Sequence, residues 1–312
     1  MSRLEPIKVL VCDPVELDHL KLGARFALDY RPRISREELL AAVGGYDVLI
    51  VRGRTQVDRT VLERGTRLKV IARPGTGLDN LDLEAATQRG VAVLNSPEAL
   101  IEAVAEHVVL LMLALSRRLT LADGELRAGR WLKDGLVGVE LKGKSLGILG
   151  LGRIGRRVAE VAGVLGMSIK GYDAIEIPGE VTRKLGIRMV SMDELFSSSI
   201  FITLHVPLTK ETRHLVDAEK LRKMMPGSYL INTSRGGVID EKALIASLKE
   251  GRLGGAALDV FETEPASGEI LSLPNIIVTP HIGGQTVEAQ AGAMDVISGK
   301  IEALFSEEVG RK

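Results

Sequence analysis

The run GLGRIG, Gly150 to Gly155, has the residue types to cradle a pair of phosphates. Gly150 permits a tight turn, Gly152 lets backbone approach a pyrophosphate, and Gly155 allows a helix to pack close on a strand. The run follows apolar KSLGIL and opens RRVAEVAGVLG, so a helix N-terminus presents N–H groups and the positive end of its dipole. The next apolar run, SIKGYD, ends in Asp173. Its carboxylate would accept from the ribose 2′- and 3′-hydroxyls and repel a 2′-phosphate, which favours NAD over NADP. G-x-G-x-x-G alone says little in a chain with 34 glycines. Strand, glycines, helix, strand and acid in that order make it a nucleotide-binding βαβ unit.

Three further polar residues follow later apolar runs. Arg235 comes just after SYLINT, Glu264 just after GAALDV, and His281 ends IIVTPH. In a doubly wound sheet the carboxyl ends of the strands share one edge beside the ligand crevice, so all three can converge near the nicotinamide. Their neighbours are odd for plain packing: Gly236-Gly237, Pro265, Pro280 and Gly283-Gly284 suit fixed loops that hold side chains over a site.

The elements that must position these residues alternate along the chain. Early strand candidates are 7–13, 47–52, 68–73 and 91–95, with helical stretches such as Ser35–Val43 and Leu81–Arg89 between them. A long apolar helix over about 101–116 follows, then a polar, glycine-dotted connection from Arg117 to Gly143 that holds Trp131. Six more strands are expected at 145–150, 168–173, 200–206, 228–233, 255–260 and 276–281, and an amphipathic helix over 285–312. Strand–helix alternation implies parallel sheets covered on both faces, hence an α/β protein with two doubly wound domains.

Composition narrows the function classes. The 312 residues suffice for two domains with full cores, and 45% hydrophobic with 26% charged residues reads as soluble and globular. Formal net charge is +0, so nothing overall attracts nucleic acid or an anionic membrane. The single cysteine, Cys12, ends an apolar run and reads as a buried thiol; no Cys/His cluster has metal spacing. The N-terminus lacks an apolar signal core and the apolar stretch 108–115 is shorter than a membrane span, so a cytoplasmic location is expected.

GLGRIG with Asp173, then HVPLT, INTSRGG, LDVFETEP and TPHIGG, resembles the NAD-dependent D-2-hydroxyacid dehydrogenases over nearly the whole chain. IVRGRT, IARPGTGLDNLDL and LNSPEALIEAVAEH are most similar to the D-3-phosphoglycerate dehydrogenases of that family, which serve serine biosynthesis. The resemblance implies a flavodoxin-like substrate domain from 1–99 plus 285–312 and a Rossmann-type NAD domain from 100–284. It implies that His281 exchanges a proton with the substrate oxygen, that Glu264 pairs with His281 and fixes its ring, and that Arg235 clamps the substrate carboxylate. Backbone N–H groups of Thr76 and Gly77 would share that carboxylate, and Asp259 would orient the nicotinamide carboxamide. Other cofactor contacts carried over are Arg153, Ile154, His205, Pro207, Thr212, Thr233 and Gly283.

Arg52 and Arg73 both follow early strand ends and suggest a second anion such as a phosphate; Arg54 is a further candidate. Two positions depart from the phosphoglycerate members: Gly53 stands where Ser is usual, and Glu98-Ala99-Leu100 where Gly or Asn is common. The C-terminal regulatory extension of the longer members is not expected here. A glyoxylate or hydroxypyruvate reductase is the alternative enzyme, and an NAD-sensing regulator on the same fold is a remote one. The family implies a homodimer, with the Trp131 arm as a dimer element. His19 and His214 are expected on the surface, and His107 either packs or faces the cleft.

Overall fold

A computed structural model describes residues 5–310; the outermost positions of the expected first domain, 1–4 and 311–312, lie outside the described residues. The chain forms two compact units, Met1–Leu100 with Gly284–Lys312, and Ile101–Gly283.

The first unit is a five-stranded parallel sheet of β1 (Ile7–Val11), β2 (Phe26–Tyr30), β3 (Val48–Ile50), β4 (Val70–Arg73) and β5 (Ala92–Asn95). Their order is β2-β1-β3-β4-β5, the flavodoxin-like winding. Alternation along each strand splits the core in two. Leu10, Leu49 and Ile71 face one layer; Val9, Val48 and Val70 face the other, where Ile297, Ile301 and Phe305 of the helix Val287–Gly310 cover them. The short helix Arg36–Ala42 begins in a capping box, with the Ser35 hydroxyl and the Glu38 carboxylate each accepting from the other's backbone N–H. Cys12 is buried, and that burial pushes its thiol up to about 12, so it is an unreactive core group.

The second unit is a seven-stranded parallel sheet: β6 (Ser145–Leu149), β7 (Ser168–Tyr172), β8 (Ile187–Met189), β9 (Phe201–Leu204), β10 (Tyr229–Asn232), β11 (Gly255–Leu258) and β12 (Ile276–Val278). The order β12-β11-β10-β9-β6-β7-β8 reverses direction at β6, which pairs β7 on one side and β9 on the other. That reversal is the switch point of a dinucleotide-binding sheet, and because every pair is parallel the carboxyl ends share one edge.

Two strands depart from expectation. β2 and β8 were not among the strand candidates. Both are edge strands: most of β2 and β8 is not buried, so neither carries the apolar run that marks an interior parallel strand. The strands also end sooner than the apolar runs suggest. His281 lies past the end of β12, in a bend, rather than on the strand. The helix Pro97–Ser116 spans 20 residues at a mean hydropathy of 1.9, longer than the expected stretch and enough by length and composition to cross a membrane. Its Val108, Leu111, Met112 and Leu115 pack instead on Leu146, Ile148, Ile231 and Ala257, which makes it a core helix of the second unit.

Candidate active site

The glycine-rich loop sits at the switch point. Gly150 has φ 96°, and a Cβ there would lie 2.6 Å from the His205 carbonyl oxygen; one on Gly155 would lie 2.1 Å from the carbonyl oxygen of Gly150. Only glycine fits either place. At Gly152 the space is open to 4 Å, and no side chain caps the helix Arg153–Val164 that begins there. The Asp173 carboxylate accepts from Leu151 N–H at 2.6 Å and Ile175 N–H at 3.0 Å, so it anchors the loop from the end of β7. Thr233 Oγ1 is buried with no hydrogen-bond partner among the described residues. An uncapped helix start, open space at its first glycine and an orphaned hydroxyl fit a bound dinucleotide. His205 closes β9 with its Nε2 3.0 Å from Thr203 Oγ1, and burial pushes its imidazole down to about 4, so the ring is neutral near pH 7. Thr212 Oγ1 donates to the Pro207 carbonyl at 2.6 Å and shapes the loop that follows.

The loops after β10, β11 and β12 bring the three polar residues' supports together. Asn232, fully buried, accepts from Ser234 N–H and hydroxyl and donates to the Arg235 carbonyl at 2.9 Å. Gly236 presses on the neighbouring loop so closely that a Cβ would stand 1.8 Å from the Phe261 carbonyl carbon. The Arg235 loop and the Phe261–Glu264 loop are thereby locked side by side. Glu264 Oε1 accepts from Phe261 N–H at 3.2 Å, and its Oε2 meets His281 Nδ1 at 2.9 Å. That contact fixes the imidazole, with Nε2 left for other partners. Both side chains are part-exposed, as a substrate-facing pair must be.

His281 has φ 56°, an uncommon conformation for a non-glycine residue. The buried Asp259 holds the turn that imposes it. Asp259 Oδ1 accepts from the Thr279 hydroxyl at 2.5 Å and Ile282 N–H at 2.8 Å, and Oδ2 from Gly283 N–H at 2.7 Å. Burial works to raise this carboxyl, but hydrogen bonds from His107, Thr279, Ile282 and Gly283 together outweigh it and hold it below the ordinary value. The resemblance assigns Asp259 to the carboxamide and implies no such task for it. The available signal was an acid placed directly after four buried residues, where a carboxylate needs several donors.

In the first unit Arg52 and Arg73 are both partly buried at strand ends. Burial pushes the Arg52 guanidinium below its ordinary value, opposed by Asp13 and Glu16. Arg73 reaches across glycine on both sides: a Cβ on Gly53 would be 3.5 Å, and one on Gly75 3.1 Å, from its guanidinium nitrogens. The buried Asp13 accepts from Arg52 N–H at 2.6 Å, Arg54 Nε at 2.9 Å and the Thr55 hydroxyl at 2.9 Å. Arg54 is therefore a structural partner of Asp13 here. Asn80 donates to the carbonyls of Arg52 and Thr55, and Asn95 to that of Thr76, tying the 73–80 loop to its neighbours. Thr76 is exposed and Gly77 partly so. Glu98 pairs with Lys300 at 2.8 Å. His19 and His214, both expected on the surface, are each partly exposed, their side chains at 41% and 39%; His19 pairs with Asp295, and His214, at φ 51°, faces Glu262 at 3.2 Å.

Comparison with known proteins matches residues 109–283 to the family described as "D-isomer specific 2-hydroxyacid dehydrogenase, NAD binding domain". The chain is 44% identical over 306 residues, 97% of its length, to a D-3-phosphoglycerate dehydrogenase of Methanocaldococcus jannaschii, of which the alignment covers 58%. It is 45% identical over 261 residues, 82% of its length, to a hydroxypyruvate reductase of Thermotoga maritima, 84% of which is covered. The chain thus spans 58%, 52% and 56% of the D-3-phosphoglycerate dehydrogenases it matches first. Among solved structures, the TT0316 protein of Thermus thermophilus superposes with a TM-score of 0.88 at 34% identity, covering 96% of this chain and 97% of that one.

Proposed function

The chain belongs to the D-isomer specific 2-hydroxyacid dehydrogenases, and we propose that it moves a hydride between NAD and C2 of a D-2-hydroxy acid, with 3-phosphoglycerate and 3-phosphohydroxypyruvate as the substrate pair. The observation that carries this reading is the 2.9 Å contact of His281 Nδ1 with Glu264 Oε2, on the same sheet edge as the glycine-rich loop.

NAD, when bound, supplies the hydride acceptor or donor at nicotinamide C4. The rest is this chain's work. The N–H groups at Gly152, Arg153, Ile154 and Gly155 hold the pyrophosphate, and Asp173 reads the ribose hydroxyls while it steadies Leu151. Thr233, with its orphaned hydroxyl, takes a cofactor hydrogen bond, and His205, Pro207 and Thr212 line the neighbouring loop. Asp259 shapes the nicotinamide pocket through Gly283, with acceptor capacity left on Oδ2 for the carboxamide. Arg235 holds the substrate carboxylate and polarises the C2 oxygen. His281 gives that oxygen a proton from Nε2 during reduction and takes it back during oxidation; Glu264, tied to Phe261 N–H, stabilises the charged ring. Thr76 and Gly77 N–H groups add to the carboxylate site, and Arg52 and Arg73 hold the phosphate.

A Cβ on Gly53 would meet the Arg73 guanidinium at an ordinary 3.5 Å contact, so the glycine is not required beside that arginine. A second reading, hydroxypyruvate reduction, is favoured by the 84% coverage of the Thermotoga maritima relative. NADH oxidation with phosphohydroxypyruvate, hydroxypyruvate, glyoxylate and 2-oxoglutarate decides between them. Charge-assisted bonds to a phosphate, about 1.5–3 kcal/mol each, predict a kcat/KM at least about tenfold higher for the phosphate ester, lost in Arg73→Ala. Equal rates with hydroxypyruvate would remove the phosphate assignment and leave the 2-hydroxyacid chemistry standing.

The reading includes a cytoplasmic homodimer. Its support is the second unit's exposed apolar residues, with Trp131 and Val137 each 80% exposed and Leu119 and Leu126 more than half exposed. Sedimentation at micromolar concentration is expected to show a dimer; a monomer there would count against it.

A further inference from the structure

His107 is absorbed by none of the roles above. It projects from the helix Ile101–Ser116 with its side chain only 10% exposed. Its Nε2 lies 3.2 Å from Thr279 Oγ1 and 3.5 Å from Asp259 Oδ1. Its Cδ2 is 3.6 Å from where a Gly283 side chain would begin, so the ring packs on the same turn. The direction of these bonds follows from counting protons. The Thr279 hydroxyl has one, and it is spent on Asp259 Oδ1 at 2.5 Å. Thr279 can then only accept from His107, so Nε2 carries the hydrogen. A chain of donors runs from His107 through Thr279 to Asp259, whose carboxylate also gathers the N–H groups of Ile282 and Gly283. Between Thr279 and Ile282 sits His281 in its left-handed conformation.

We propose that His107 is a positioning residue for His281: its Nε2–H fixes Thr279 and Asp259, and through them the turn that aims the imidazole. This rests on the reading of His281 as the proton carrier. Its polar partners among the described residues are Thr279 and Asp259. It acts by holding a strained turn that a shared buried carboxylate alone would hold less firmly, and a displacement near 1 Å at a proton donor can cost on the order of a hundredfold.

The test compares His107→Leu, which removes the donor, with His107→Gln, whose side-chain amide can restore one. Thr279→Val breaks the same link from the other side and guards against a leucine variant that fails to fold. His107→Leu is expected to lower kcat by about ten- to a hundredfold with the NADH Kd changed less than about threefold, and His107→Gln to recover most of the loss. Amide hydrogen exchange at Ile282 and Gly283 is expected to quicken in His107→Leu and Thr279→Val, while β6 and β10 keep their protection. This exchange measurement needs no substrate. If no acid on the panel is turned over by the wild type, the functional reading fails and exchange still judges the positioning. Unchanged exchange at the turn in both variants, or a glutamine variant no better than leucine, would overturn the proposal.

Discussion

Asp13 in the first unit and Asp259 in the second each gather loops around a buried carboxylate, and the two are compensated differently. Asp13 and Asp259 are each only 1% exposed. Asp13 meets a permanent cation, the Nε of Arg54, together with Arg52 N–H and the Thr55 hydroxyl. The donors that surround Asp259 are two backbone N–H groups, a hydroxyl and a histidine. The first arrangement keeps a stretch of basic residues in place and needs only to be rigid. The second holds the His281 imidazole in an uncommon backbone conformation, and it does so with donors that fix the direction of each bond. A guanidinium in that place would bring a second positive charge close to His281, opposing the imidazolium that proton transfer requires.

The largest expected effect separates glycines that hold loops from glycines that admit a ligand. Gly236→Ala drives a Cβ into the Phe261 backbone, so the loops of Arg235 and Glu264 must part. Unfolding in urea is expected to show a loss of about 3 kcal/mol or more, with activity falling in parallel. Gly152→Ala meets nothing within 4 Å and is expected to leave stability within about 0.5 kcal/mol while weakening NADH binding about tenfold or more. Equal NADH affinity in that variant would place the pyrophosphate elsewhere.

Next comes the comparison of aspartates. Asp259→Asn turns an acceptor of several N–H and O–H bonds into a group that must itself donate, at a cost of about 1–3 kcal/mol near pH 7. The pH dependence has a definite sign. The Asp259 carboxyl is held below its ordinary 3.8, so its contribution is complete above about pH 4 and is lost as pH falls through the lower folded value. The gap in stability between wild type and Asp259→Asn should therefore narrow on acidification from pH 5 towards pH 2. A gap that widens on acidification would show that the carboxyl is raised, and the hydrogen-bond account of the turn would be wrong.

Much of the fold is legible in the amino-acid sequence. Interior parallel strands announce themselves because both faces are buried, and GLGRIG carries its own context of strand, helix and acid. The edge strands β2 and β8 are not legible, since their exposed side chains leave no apolar run. Arg235, Glu264 and His281 can be placed on one sheet edge from spacing, but the partners of Asp259 cannot. Its contacts join residues 20 to 24 positions away through a turn whose shape depends on His107 from a distant helix. Arg54 shows the same limit: type and position suit an anion, and only geometry shows its Nε on Asp13.

The central claim is that His281, oriented by Glu264, moves the proton. Single-turnover oxidation of enzyme-bound NADH by the best acid on the panel tests it most directly, comparing wild type with His281→Ala. The account predicts a rate about 10²–10⁴-fold lower with the NADH Kd preserved. A rate within about threefold of wild type, with substrate saturating, would contradict it.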